Sequence, residues 1–317
     1  NAFAKRSALK CIEINKNLCV KKKLYTMKPI ITATELQEIF HQENLVILDA
    51  RTGKDARENY LQNHIKGARF IDLDKDLAEI GEDAAFGGRH PLPKISKFAE
   101  TLQKLGISED SHIVVYDTSN GANAAARCWW MLKSFGIEKV QVLSGGFQAA
   151  EKEGVQTNSG EEIFEKTSFI LRENWSWPTS TLEEVEKEIA ENSATVIDVR
   201  DAYRYRGESE PIDLVAGHIP GAINIPFSEN LDENGEFLSP EILKEKYQQF
   251  LADASTPLSM TKKLIIHCGS GVTACHTILA LDYAGFVTLS GAEVPNLYVG
   301  SWSEWSRREG KEIAREV

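Results

Sequence analysis

The chain has 317 residues, 42% hydrophobic and 26% charged, a composition that supports about two globular domains, each with its own core. A net charge of −11 argues against nucleic acid or an anionic membrane as the main partner, and no apolar run approaches the roughly 18 residues needed to span a bilayer. Five cysteines, odd in number and without a CxxC pair, are too few for a disulfide scaffold and point to a reducing compartment.

In chain order, residues 1–26 come first. They hold seven Lys/Arg and the single acid Glu13, a charge of +6 against −17 for the remainder. Such a basic, acid-poor stretch resembles an organelle transit peptide; the rival reading is a solvated leader ahead of an internal start at Met27. The two readings correspond to a mitochondrial or a cytoplasmic location. The rest of the chain repeats itself at a spacing of about 150 residues. LVILDAR (45–51) returns as TVIDVR (195–200), NHIKGA (63–68) as GHIPGA (217–222), IVVYD (113–117) as LIIHC (264–268), and SGGFQAA (144–150) as GSWSEW (300–305). Four matches in the same order mean one domain written twice. The expected division is 27–156 for the first copy, 157–180 for a linker and 181–317 for the second copy. In each copy a helix (34–40, 181–189) precedes a short apolar strand, then a second apolar stretch (68–71, 222–225), a further helix and a central strand. Short apolar strands alternating with helices predict an α/β fold: a mainly parallel sheet with helices on both faces. Trp175 and Trp177 in the linker are expected to pack against a domain.

The chemistry concentrates in LIIHCGSGVTACHTILAL (264–281). Cys268 sits between a buried strand and a glycine-rich loop that opens a helix. Converging backbone N–H groups and the helix N-terminus both favour a thiolate, the reactive form. Gly269 and Gly271 allow the tight backbone. Ser270 offers a hydroxyl able to pass a proton, and Thr273 is placed to cap the helix or to bond a group on the cysteine. The first copy has Asp117 where the second has Cys268, so only the second copy is expected to be catalytic. His64 and His218 recur in both copies and are therefore assigned to structure. Cys275, two helical turns beyond Cys268, and Cys128, Trp129 and Trp130 on an apolar helix are assigned to packing. No His/Cys cluster has metal-ligand spacing, and no cofactor is expected.

Two such repeats with CGSGVTAC in the second resemble the two-domain rhodanese-type sulfurtransferases. Gly269 and Ser270 stand where thiosulfate enzymes place basic residues, so the loop is more similar to that of the mercaptopyruvate sulfurtransferases. The resemblance implies that Cys268 takes a sulfur from the donor as a persulfide held by the loop N–H groups, with Gly269, Gly271, Val272 and Thr273 around the substrate. A thiol then collects the sulfur: a small thiol or a thioredoxin-like protein. The resemblance also implies a relay in which His90 of GGRHPLPK (87–94) and Asp74 of FIDLD (70–74) serve Ser270. On the residues alone, Asp72 competes with Asp74. Arg204 of AYRYRG (202–207) takes the place of the arginine that holds the substrate carboxylate, while Arg206 is expected in an interdomain or surface pair. The following stretch, ESEPIDLVAGH (208–218), lacks the family's second arginine and has Ile212 near that place; its half of the clamp is absent or comes from elsewhere. Three rivals are weighed. A cysteine phosphatase would need an arginine where this chain has Ala274. A non-catalytic interaction module is disfavoured by the intact loop. Thiosulfate or a small persulfide could be the donor instead.

Overall fold

The computed structural model describes residues 27–168, 172–251, 262–287 and 294–316. The basic stretch 1–26, with its two leader readings, lies outside the described residues. The strands of the first half are β1 (Ile30–Ile31), β2 (Leu45–Asp49), β3 (His64–Ile65), β4 (Arg69–Phe70), β5 (His112–Tyr116), β6 (Val140–Leu143) and β7 (Thr157–Asn158). Those of the second half are β8 (Thr179–Ser180), β9 (Ala194–Asp198), β10 (Ile223–Asn224), β11 (Lys263–His267) and β12 (Asn296–Tyr298). Two five-stranded parallel sheets result, in the orders β1-β6-β5-β2-β4 and β8-β12-β11-β9-β10, so every strand of one has its counterpart in the other. The central strand β5 is buried at every residue, as a parallel strand covered on both faces must be. The short strands β3 and β7 pair antiparallel, which lays Thr157 and Asn158 back on the first half.

The duplication extends to the devices that hold each copy. Helices Ala33–Ile39 and Leu182–Ala190 both begin with a capping box, Thr32 with Glu35 and Thr181 with Glu184; each such cap stabilises its helix by about 1 kcal/mol. Arg51 forks onto Asp49 as Arg200 does onto Asp198. His64 stacks on Tyr60 and its Nδ1 lies 2.7 Å from the Tyr60 carbonyl; His218 does the same with Tyr205 at 2.8 Å.

Two of the three apolar clusters lie within single halves, around Leu36, Val114 and Phe147 and around Val185, Tyr298 and Trp302. The third is shared, built from helix Ala124–Phe135 of the first half and helix Thr273–Tyr283 of the second. Trp175 and Trp177 pack onto it: the Trp177 ring meets Trp129 at 5.3 Å, edge on, and Trp175 lies 5.4 Å from Phe98. In both sheets the register brings the central pair of strands to a level end, Asp49 beside Tyr116 and Asp198 beside His267. Asp117 and Cys268 therefore open equivalent loops, and the shared core sets each loop against the opposite half.

Candidate active site

Cys268 directly follows β11 and is 1% exposed. Its N–H donates to Ser301 Oγ at 3.2 Å, and its carbonyl accepts the Trp302 N–H at 3.0 Å. The Gly269 carbonyl accepts the Ser303 N–H at 2.8 Å. Ser301 pays for this anchoring with a left-handed φ of 53°, costly for a residue with a side chain. Gly271 has a φ of 72°, and a Cβ there would stand 2.6 Å from the Val299 carbonyl, so the turn needs glycine. The expected Thr273 cap is not formed. The N-cap position falls on Val272, and Thr273 is already the first helical residue, one place too late to act as the cap. The first N–H groups of the helix thus carry no side-chain cap, an arrangement suited to an anion.

His90 reaches this loop from the first half. Gly87 N–H donates to Glu304 Oε1 at 2.9 Å and Arg89 N–H to Ser303 Oγ at 3.0 Å, clamping the segment onto helix Ser301–Trp305. Gly88, at φ 79°, lies so close to Gly300 that a Cβ would stand 2.4 Å from its carbonyl oxygen. The clamp sets His90 Nδ1 2.8 Å from Ser270 Oγ and Nε2 3.3 Å from Asp74 Oδ1. Asp72 is turned away: its carboxylate accepts from the Asp74 and Lys75 N–H groups and from Lys75 Nζ at 3.0 Å. Burial, and secondarily the Arg89 charge, lower the pKa of His90 to about 4, against the opposing pull of Asp74. At neutral pH the ring is therefore neutral. With its proton on Nε2 toward Asp74, Nδ1 is free to accept from Ser270.

Arg204 is not an open fork. Its Nε and Nη2 donate to Glu210, the shortest contact being 2.7 Å, and Nη2 lies 3.5 Å from Asp213 Oδ2. Two further arginines join it from elsewhere in the chain. Arg89 Nε and Arg307 Nη1 donate to Asp213 Oδ1 at 3.1 and 2.9 Å. A Cβ on Gly269 would meet Arg89 Nη2 at 3.1 Å, Arg204 Nη2 at 3.5 Å and Asp213 Oδ2 at 3.5 Å, so this cluster borders the residue after Cys268. Arg206 pairs with Glu208 at 2.6 Å on the surface.

Arg127 is the residue that sequence reasoning passed over most completely. It is fully buried in helix Ala124–Phe135, and among the described residues it forms no ion pair with a carboxylate. Its guanidinium donates to the carbonyls of Gly271 (3.1 Å), His90 (3.1 Å) and Leu77 (3.4 Å). One side chain thus ties the Cys268 loop to the His90 segment. Burial lowers its pKa, while Cys275 and Cys268 act in the opposite direction. A lone arginine in the apolar run AAARCWWML (124–132) was the available signal. Cys275 is buried, its thiol donates to the Gly271 carbonyl at 3.4 Å, and burial raises its pKa to about 12; that is a packed thiol.

The family model described as rhodanese-like domain matches residues 32–153 and 181–308. The 3-mercaptopyruvate sulfurtransferase of Mus musculus is 36% identical over 272 residues, covering 83% of this chain and 86% of the mouse protein. The thiosulfate sulfurtransferase of Gallus gallus is 34% identical over 256 residues, covering 80% and 82%. The solved structure of 3-mercaptopyruvate sulfurtransferase from Leishmania major superposes with a TM-score of 0.73 at 29% identity, covering 88% of this chain and 74% of that one.

Proposed function

The chain belongs to the rhodanese-like domain family, and on that basis we propose that it is a sulfurtransferase moving a sulfane sulfur from mercaptopyruvate to a thiol through a persulfide on Cys268. The observation that carries this reading is the chain Ser270–His90–Asp74, assembled across the two halves at 2.8 and 3.3 Å beside the cysteine.

In this reading the Cys268 thiolate attacks the donor sulfur. A sulfur–sulfur bond forms, the carbon–sulfur bond breaks, and the electron pair leaves on the enolate of pyruvate. The persulfide then ionises, and its proton returns to the enolate carbon through Ser270, with neutral His90 accepting and Asp74 orienting the ring. In this reading the N–H groups of the loop 269–273 hold the new anion. Arg204, Arg89 and Arg307 supply positive charge for the donor carboxylate. The clamp's second half thus comes from outside residues 208–218. A thiol acceptor, such as a small thiol or a thioredoxin-like protein, takes the outer sulfur. We also infer the division into domains 27–156 and 181–317 around a linker, 157–180, whose two ends, β7 and β8, pair with the first and second halves.

Thiosulfate as donor is the second reading. The 34% identity to the thiosulfate sulfurtransferase of Gallus gallus supports it. A donor comparison separates them. The expected result is pyruvate release from mercaptopyruvate exceeding thiocyanate formation from thiosulfate and cyanide; no pyruvate release by the folded protein would overturn the first reading.

A further inference from the structure

Residues 211–215 are folded inside out. Ile212 and Leu214 are 55% and 73% exposed, while the Asp213 carboxylate between them is fully buried. A buried carboxylate is costly unless it is paired, and two aliphatic side chains in water recover nothing. The partners that hold it are the three arginines. Oδ1 accepts from Arg89 Nε and Arg307 Nη1, whereas Oδ2 has no hydrogen-bond donor among the described residues and lies 3.5 Å from Arg204 Nη2. Arg89 and Arg307 stand 124 positions before and 94 positions after Asp213, and the Nη2 atoms of Arg89 and Arg204 border Gly269, the residue after Cys268. Guanidinium groups grouped in this way form a slot for one small carboxylate. The slot already contains one, supplied by the protein itself.

We propose that Asp213 is the donor-selecting residue: its carboxylate is the resident occupant of the arginine slot beside Cys268, and a donor's carboxylate binds by taking its place. This rests on the sulfurtransferase reading for its meaning but not for its test. An occupant carried on the same chain competes at a high effective concentration, so donors bearing a carboxylate bind more weakly than the three arginines alone would allow. Glu210 does not serve this role, because it is already bound to Arg204 and Arg200 and accepts from the Ile212 and Asp213 N–H groups. When Asp213 is displaced, residues 211–215 have to swing outward.

Alkylation of Cys268 tests the slot without any turnover. Iodoacetate and iodoacetamide both transfer a carbon to the thiolate with loss of iodide, and they differ in whether that carbon bears a carboxylate or a neutral amide. The ratio of their rates cancels the thiolate fraction. It is read by mass spectrometry on the Cys268 peptide of the full chain. In the native protein the expected ratio is within about threefold of that for a small free thiol. In Asp213→Ala it rises at least tenfold, and in Asp213→Asn, which removes the charge but still fills the slot, at least threefold less than in Asp213→Ala. A native ratio already tenfold above the free thiol, equal rises in the two variants, or no rise in a folded Asp213→Ala would each overturn the proposal. The native measurement decides even if the variants do not fold. In the donor assay, KM for mercaptopyruvate falls at least fivefold in Asp213→Ala. A protein that releases no pyruvate removes the mercaptopyruvate reading, and the alkylation ratio still decides the slot.

Discussion

The loops after β5 and β11 start from the same point of two equivalent sheets and end in opposite fates. After β5, Asp117 turns its carboxylate back into its own loop. Oδ1 accepts the N–H groups of Ser119 and Gly121, both at 2.8 Å, and Oδ2 those of Asn123 (3.0 Å) and Ala125 (3.1 Å). Burial raises its pKa while these four donors lower it. After β11, Cys268 reaches its helix at Thr273, two residues sooner than Asp117 reaches Ala124. A thiolate has one heavy atom beyond Cβ. A persulfide has two, as a carboxylate arm does. The first loop therefore shows what a strand-loop-helix does with a resident carboxylate, and in the proposed mechanism the second acquires an anion. The lesson is that the fold supplies an anion cradle in both copies, and the residue at the strand end decides whether the anion is structural or transient.

The comparison is broken most completely by removing the transient anion. Cys268→Ser is expected to lower sulfur transfer by at least about 10³-fold with the fold kept, measured as pyruvate release and circular dichroism. Removing the permanent anion should act on stability instead. Asp117→Ala leaves four N–H groups without their acceptor, those of Gly121 and Ala125 buried and those of Ser119 and Asn123 partly so, at about 1–3 kcal/mol for each unmet buried group before water relieves some of them. A net loss of about 3–5 kcal/mol is expected in urea unfolding. A loss below about 1 kcal/mol would mean that the first cradle does not need its charge. His90→Gln addresses what only the second loop has. It should lower kcat about 10²-fold, the usual worth of a positioned base, with KM little changed.

The smallest effect is the pH response of His90. Its folded pKa, about 4, lies below its ordinary 6.5, so the native state takes up the proton less readily than the unfolded chain. The stability it contributes is fully present above pH 6.5 and is lost as the pH falls toward 4. Between those limits Tm should fall more steeply for the native protein than for His90→Gln; parallel slopes would refute a buried, neutral ring.

Much of this site was legible as sequence. The duplicated sheet, Cys268 between strand and helix, the glycines of its loop and Asp117 at the matching place of the first copy are local patterns, each set by a few consecutive residues. Gly271 is an example only in part: its φ of 72° is local to the loop, whereas the carbonyl that a Cβ would strike, that of Val299, comes from 28 positions further along the chain. Thr273 shows the limit of local reading, since a shift of one residue at the helix start moved the cap to Val272. Arg127 was hidden because its partners, Gly271, His90 and Leu77, are 144, 37 and 50 positions away.

Strand periodicity and loop chemistry act over a few residues, so the linear chain settles the fold of each half and the place of Cys268 at the end of its strand. Which charges face that nucleophile is a different matter. Arg307 meets Asp213 across 94 positions within the second half, and Arg89 meets it across 124 positions, a contact that exists only once two hydrophobic helices have docked the halves. Charge pairing over those separations follows from packing, and packing follows from the burial of surfaces that no short stretch of sequence contains.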